Sequence, residues 1–308
     1  MPLRAHIAAL VLAVGSGRAL AAADLFGYGE AFDTLYRVDL TTHSAQKLGP
    51  AGYLNGQQRI ANIEGLTFNS NGELYAVSDT LKVLLQINRT TGTATLVGPL
   101  NLAGQSISQP LDLGLTFACD GRLWLSAGNG SFWQVDPATG ATTAVGNLGV
   151  TITGLTSRGN QIYGTGSQGD NTLYLIDPTT AQTTPVGAYG SGASYVTAAS
   201  PGFDASGQLW VVLDYVPPQP GVTTVPLWSD LASLDASRGS LNNTGAITGP
   251  TDLQYIGLKG LAITPPICAA APAQAASIPA ITARGLAVLI ALLALLAGTR
   301  LHRHRPIA

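Results

Sequence analysis

The sequence predicts an all-β fold, a five-bladed β-propeller closed by its N- and C-terminal strands, and three observations carry that expectation. A four-strand unit fills residues 65–98 and returns along most of the chain. Its copies are spaced as propeller blades are spaced. The strands missing from one end of the array are supplied by the other end. Repeats are read before anything else, because a period of 20–50 residues changes the whole fold assignment.

In the unit, Leu66-Thr67-Phe68 is strand a and Asn69-Ser70-Asn71-Gly72 is a turn built from residues that tolerate positive φ. Leu74-Tyr75-Ala76-Val77 is strand b, Val83 to Asn88 strand c, Arg89-Thr90-Thr91-Gly92 a second turn and Ala94 to Val97 strand d. Strand a recurs as Gly65-Leu66, Gly114-Leu115, Gly154-Leu155, Gly202-Phe203 and Gly260-Leu261, with gaps of 49, 40, 48 and 58 residues. Strand b recurs as Leu74-Tyr75, Leu123-Trp124, Ile162-Tyr163, Leu209-Trp210 and, more weakly, Leu25-Phe26. Strand c ends at Asp39, Asn88, Asp136, Asp177 and Asp235, and strand d near Gly49, Gly98, Gly146, Gly187 and Gly249. Five copies of a four-strand period imply five blades. The chain enters at a strand b and leaves after a strand a, so both termini complete one blade and no sheet edge stays open.

Motifs such as Phe-Asn-Ser-Asn-Gly-Glu-Leu-Tyr and Asp-Pro-Ala-Thr-Gly-Ala-Thr resemble those of exported bacterial propellers of the NHL and gluconolactonase-type groups. The resemblance covers about residues 25–265 and is specific for fold rather than function.

Residues 1–23 read as a secretory signal peptide, with Arg4, an apolar core and an Ala-rich cleavage site. The propeller then occupies 24–268 and an Ala/Pro linker 269–277. Residues 278–308 hold an Ile278-Pro279 motif, an apolar run and a basic tail with Arg300, Arg303 and Arg305. That tripartite end resembles the IPTL-CTERM sorting signal, which implies a sorting protease as partner. Ala280 and Arg284 stand where that signal has Thr and Trp. Physically, 285–299 is a short transmembrane helix whose flanking Arg284 and Arg300 would snorkel, with the tail on the cytoplasmic side before processing. The address is therefore the periplasmic side of the inner membrane, or the cell surface after processing.

All 17 acids and nine of the 15 Lys and Arg lie in the region between signal and anchor, a net charge of 9 − 17 = −8. That balance argues against nucleic acid as a partner. Of four histidines only His43 belongs to the propeller, in a turn, which argues against a catalytic triad or a His-rich metal site. The Asp that ends strand c reads as a turn-former. The strand-b aromatics read as packing between blades.

Three groups of candidates remain. At the channel mouth stand Glu64, Asp112 and Lys259. The gluconolactonase-type resemblance implies a divalent metal there, with Glu64 and Asp112 as matching ligands and Ca²⁺ as the cation. The residues themselves read instead as a Glu64–Lys259 ion pair with no cofactor, and that is the reading preferred here, because the Asn ligands of that metal site are not visible. Cys119, in an a–b turn, and Cys268, after the closing strand a, are predicted to form a disulfide across one end of the ring. The long irregular segments 51–62, 100–110, 188–196 and 216–228 all join strand d to a or b to c. They should crowd one face, with Tyr53, Tyr195, Tyr215 and Trp228 as contacts for a glycan or protein ligand. The leading functional expectation is a non-enzymatic binding module. A metal-dependent lactonase or hydrolase and a structural envelope component are the alternatives.

Overall fold

The computed structural model describes residues 25–102, 110–167, 169–190, 196–215, 229–253 and 257–268. The chain divides into two units, Met1–Cys268 and Ala269–Ala308. The signal peptide, linker, Ile278, Pro279, membrane segment and basic tail lie outside the described residues, as do Tyr195 and Trp228. Among the described residues, no helix is long and apolar enough to cross a membrane.

Five four-stranded antiparallel sheets make five blades. The first blade holds β6 (Ile63–Phe68), β7 (Leu74–Ser78), β8 (Val83–Ile87) and β9 (Ala94–Pro99). The second holds β10 (Leu113–Phe117), β11 (Leu123–Ala127), β12 (Ser131–Val135) and β13 (Thr142–Asn147). The third holds β14 (Ile152–Arg158), β15 (Gln161–Gly166), β16 (Thr172–Ile176) and β17 (Thr183–Ala188). The fourth holds β18 (Val196–Phe203), β19 (Leu209–Tyr215), β20 (Asp230–Leu234) and β21 (Leu241–Ala246). The fifth takes β22 (Lys259–Ala262) from the C-terminal side and β1 (Phe26–Ala31), β2 (Thr34–Asp39) and β3 (Ala45–Pro50) from the N-terminal side, in the order β22-β1-β2-β3. A small hairpin of β4 (Tyr53–Leu54) and β5 (Gln58–Arg59) decorates the connection between β3 and β6.

The repeated glycines close the ring at two radii. On the inside, a Cβ on Gly65 would meet the Leu115 backbone at 2.8 Å, one on Gly114 the Thr153 carbonyl at 2.9 Å and one on Gly154 the Ala199 carbonyl at 2.1 Å. One on Gly260 would meet the Leu66 backbone nitrogen at 2.9 Å, which returns to the first blade. The inner strands thus lie backbone to backbone, closer than any side chain would permit. Farther out, strand-d glycines abut the c–d turn of the next blade: Gly49 on Gly92, Gly98 on Gly140 and Gly187 on Gly239. The last of these contacts sets Gly245 against His43. His43 holds the positive-φ place (φ 56°) that Gly92, Gly140 and Gly239 hold elsewhere, and its Nδ1 lies 3.1 Å from the Gly245 carbonyl.

These contacts correct three repeat positions. Pairing places Ser200, not Gly202, at the position equivalent to Gly65, and its Oγ accepts the Gly260 amide at 3.0 Å. Tyr28, not Phe26, is the counterpart of Tyr75, and Gly245, not Gly249, ends strand d of the fourth blade. In each case an extra glycine nearby drew the register two to four residues away.

Aromatic packing between blades is regular. Tyr28 meets Phe68, Tyr75 meets Phe117 and Tyr163 meets Phe203, edge to face at 5.2–5.7 Å. The second blade departs from this, because Ser157 replaces the expected Phe and Trp124 stacks on Phe132 of its own blade. Asp39, Asp136, Asp177 and Asp235 each accept a backbone amide two residues on, at 2.8–2.9 Å, and Asn88 does the same for Thr90. The Thr42 amide at Asp39, the Ala138 amide at Asp136, and the Thr179 and Ser237 hydroxyls at Asp177 and Asp235, with the neighbouring amides, hold these four carboxyls below the usual range.

Candidate functional site

The b–c and d–a connections meet at one mouth of the ring. Asp33, between β1 and β2, accepts the Asn62 amide at 2.7 Å and pairs with Arg59 at 2.7 Å. Asp79, after β7, accepts the Leu111 amide at 2.9 Å, holds the buried Lys82 ammonium and receives Asn62 Nδ2 at 3.3 Å. Ser229, before β20, donates to Asp214 and accepts the Leu258 amide at 2.9 Å.

At the centre, Lys259 Nζ donates to Glu64 Oε1 at 2.5 Å and to Asn62 Oδ1 at 3.0 Å. The Leu113 amide donates to Glu64 Oε2 at 2.6 Å. Gly65 (φ 44°) and Gly260 (φ 66°) kink the inner strands beside these two side chains, and the pairing of β6 with β7 slips there. Burial pushes the Glu64 carboxyl up, against the pull of Lys259. Burial alone would lower the Lys259 ammonium, but Glu64, Asp112 and Asp214 outweigh it and raise its pKa. Asp214 is buried, and burial carries its carboxyl up to about 7 despite Ser229 and Lys259.

Glu64, Asp112, Thr153, Ser200, Asp214 and Lys259 surround a cavity of about 40 Å³. That is room for a few water molecules and too little for a sugar-sized substrate. Among the described residues, no group of three or more His, Cys, Asp or Glu is arranged to hold a metal ion.

The opposite mouth is strapped shut. After β22 the chain passes beneath the ring: Thr264 Oγ1 donates to the Phe203 carbonyl at 3.0 Å and the Ile267 carbonyl accepts the Gly159 amide at 3.0 Å. Cys268 then joins Cys119 in a disulfide with Cα atoms 5.4 Å apart. A pocket of about 20 Å³ remains between this strap and Phe68, Phe117 and Phe203.

Of the loop-face candidates, Tyr53 is 60% exposed on the β4–β5 hairpin. Tyr215 is half-buried, and its hydroxyl donates to Asp230 Oδ2 at 2.6 Å, so its polar end is occupied inside the blade. Burial, and then Asp230, push that phenol above its ordinary value. Sequence reasoning missed Asp214, Asn62, Asp33, Glu30 and Phe32. An acid ending the apolar run of β19 was a usable signal for Asp214, whereas Asn62 becomes visible only through the partners that the fold brings to it.

No known protein family matches the chain, and no curated protein does. The chain is similar, at low identity, to several solved structures. One is a chain of a nidogen/laminin complex, 14% identical, with 79% of this chain and 99% of that one covered and a TM-score of 0.45. A protein of unknown function from Bacteroides thetaiotaomicron is 17% identical, with 61% and 53% covered and a TM-score of 0.43. A streptogramin B lyase is 14% identical, with 73% and 74% covered and a TM-score of 0.41.

Asp214 sets a pH dependence. Its folded pKa, about 7, lies above the unfolded value near 4, so the folded state binds the extra proton. The stability it contributes is fully present below about pH 4 and is lost as pH rises through 7. Glu30 and Glu64 act in the same direction. Denaturant midpoints should fall between pH 5 and pH 8 in the native protein. In Asp214→Asn that fall should be visibly shallower, and an unchanged fall would show that Asp214 ionises freely.

Proposed function

We propose that this chain is an exported, non-enzymatic binding module that holds a surface partner on the face built from its b–c and d–a connections. The observation that supports this reading most is the contrast between the two candidate places for chemistry. The inner end of the channel, around Glu64, Asp112 and Asp214, holds only about 40 Å³. The loop face carries Tyr53 and Phe32, two large side chains that stay mostly exposed. On this reading the C-terminal segment tethers the propeller and a sorting protease acts at Ile278-Pro279. The test is retention of the folded protein by isolated bacterial envelope fragments. Tyr53→Ala combined with shortening of residues 216–227 should weaken retention about tenfold, and unchanged retention would overturn the reading.

A metal-dependent hydrolase at the mouth is the second reading, and the observation that favours it is Asp214, poised near neutrality beside Lys259. Calcium titration by calorimetry, with Glu64→Ala as control, separates the two. A flat trace supports the binding module, and heat abolished by Glu64→Ala supports the hydrolase.

A further inference from the structure

The turn between β1 and β2 has two residues, because Ala31 pairs with Thr34. Both are at positive φ, Phe32 at 48° and Asp33 at 59°. That is the backbone sign of a type I′ hairpin, where Asn-Gly or Gly-Gly is the ordinary choice. Asp tolerates the conformation because its short side chain can bond locally; a bulky Phe there is an outlier. The matching turn of the second blade uses Gly130 at φ 84°. Phe32 gains no burial in return, since it is 67% exposed. Strain of this kind persists where a side chain is needed at one place.

That place is the rim of a cavity of about 310 Å³ lined by Glu30, Phe32, Asp33, Asn62, Gly257 and Lys259. Glu30 is 3% exposed, and its carboxyl accepts the Thr34 amide at 3.0 Å without a side-chain donor among the described residues. Burial, and then Asp33, push it well above the usual carboxylate range, which favours the form that can donate. The formal charges at the wall are already matched, Asp33 by Arg59 and Lys259 by Glu64. A cation would meet Lys259 and an anion would meet Asp33 and Glu64. A neutral ligand with many hydroxyls meets alternating donors and acceptors instead. Tyr53 stands across the β4–β5 hairpin from Arg59, the ion-pair partner of Asp33, and is a second exposed ring on this face.

We infer that this cavity is a subsite for a neutral sugar, with one ring face lying on Phe32 and its hydroxyls reaching Glu30, Asn62 and Lys259. The inference rests on the loop-face reading and narrows it to one ligand class. The test is saturation-transfer NMR of the folded protein with a panel of neutral methyl glycosides, and with one uronic acid and one amino sugar as charged controls. Saturation of one or more neutral members, at least tenfold above the charged ones, is expected. Phe32→Gly should abolish it while the melting temperature stays level or rises, because glycine relieves the turn. A purely structural Phe32 would give the reverse, a lower melting temperature with transfer unchanged. Absence of transfer from every neutral glycoside would overturn the inference, as would transfer that survives in Phe32→Gly. Phe32→Gly that retains full envelope binding, where Tyr53→Ala with the shortened loop loses it, would sink the sugar site and leave the loop-face reading standing.

Discussion

Replacing Cys119 and Cys268 together by serine is expected to lower the unfolding free energy by about 5 kcal/mol. The disulfide closes a loop of 149 residues, and a cross-link over a loop of that size removes about 5 kcal/mol of chain entropy from the unfolded state. For a domain of this length that corresponds to a fall of roughly 10–20 °C in melting temperature. The loss has a structural side as well. β22 pairs within its blade only with β1, and the strap beyond it is held by Thr264, Ile267 and Cys268. Without the disulfide, β22 is free to peel from the ring by its C-terminal end. Calorimetric melting of the wild type, the double-serine variant and the wild type under reductant checks this. The last two should coincide, and a double-serine variant that melts within 3 °C of wild type, roughly 1 kcal/mol, would refute it.

The second large effect is electrostatic. Lys259→Met leaves Glu64 with its Leu113 hydrogen bond but without its counter-charge, in a site where its side chain is 5% exposed. Removing one partner of a buried pair costs about 3–5 kcal/mol. Lys259 itself is 38% exposed, which places the expected loss near the lower end, about 3 kcal/mol. The loss should be largest at pH 8 and shrink toward pH 5, because an unpaired buried Glu64 takes up a proton more readily. Adding Glu64→Gln should recover much of it. Denaturant titrations of the two single variants and the double variant give the coupling directly, and additive losses would mean that the pair contributes nothing.

The fold was legible because its signals are local. Asn71-Gly72, Asp120-Gly121 and Ser206-Gly207 announce turns within four residues of sequence, and their glycines do take positive φ. The strand-c Asp positions were legible for the same reason, since the amides they accept lie two residues away. Register was harder. Ser200 stands in for a repeat glycine through a hydroxyl that reaches Gly260 sixty residues on, and no local pattern marks that substitution. The mouth was half legible: Glu64 and Lys259 occupy equivalent strand positions and can be paired by repeat logic. Asp214, Asn62 and Asp33 join them only through contacts that depend on how the blades are packed around the ring. Phe32 hid for a different reason. In the run Glu30-Ala31-Phe32-Asp33-Thr34 it reads as one more apolar strand residue, and only the backbone shows it at a turn tip.

Hydrogen–deuterium exchange with and without the best-bound neutral glycoside tests most directly whether recognition belongs to the loop face. Protection should concentrate in residues 26–34 and 51–62, around Phe32, Tyr53 and Asn62. The a–b turns at Asp120 and Gly159, next to the strap, should exchange at unchanged rates. Protection confined to those turns, or to the strap itself, would contradict the account.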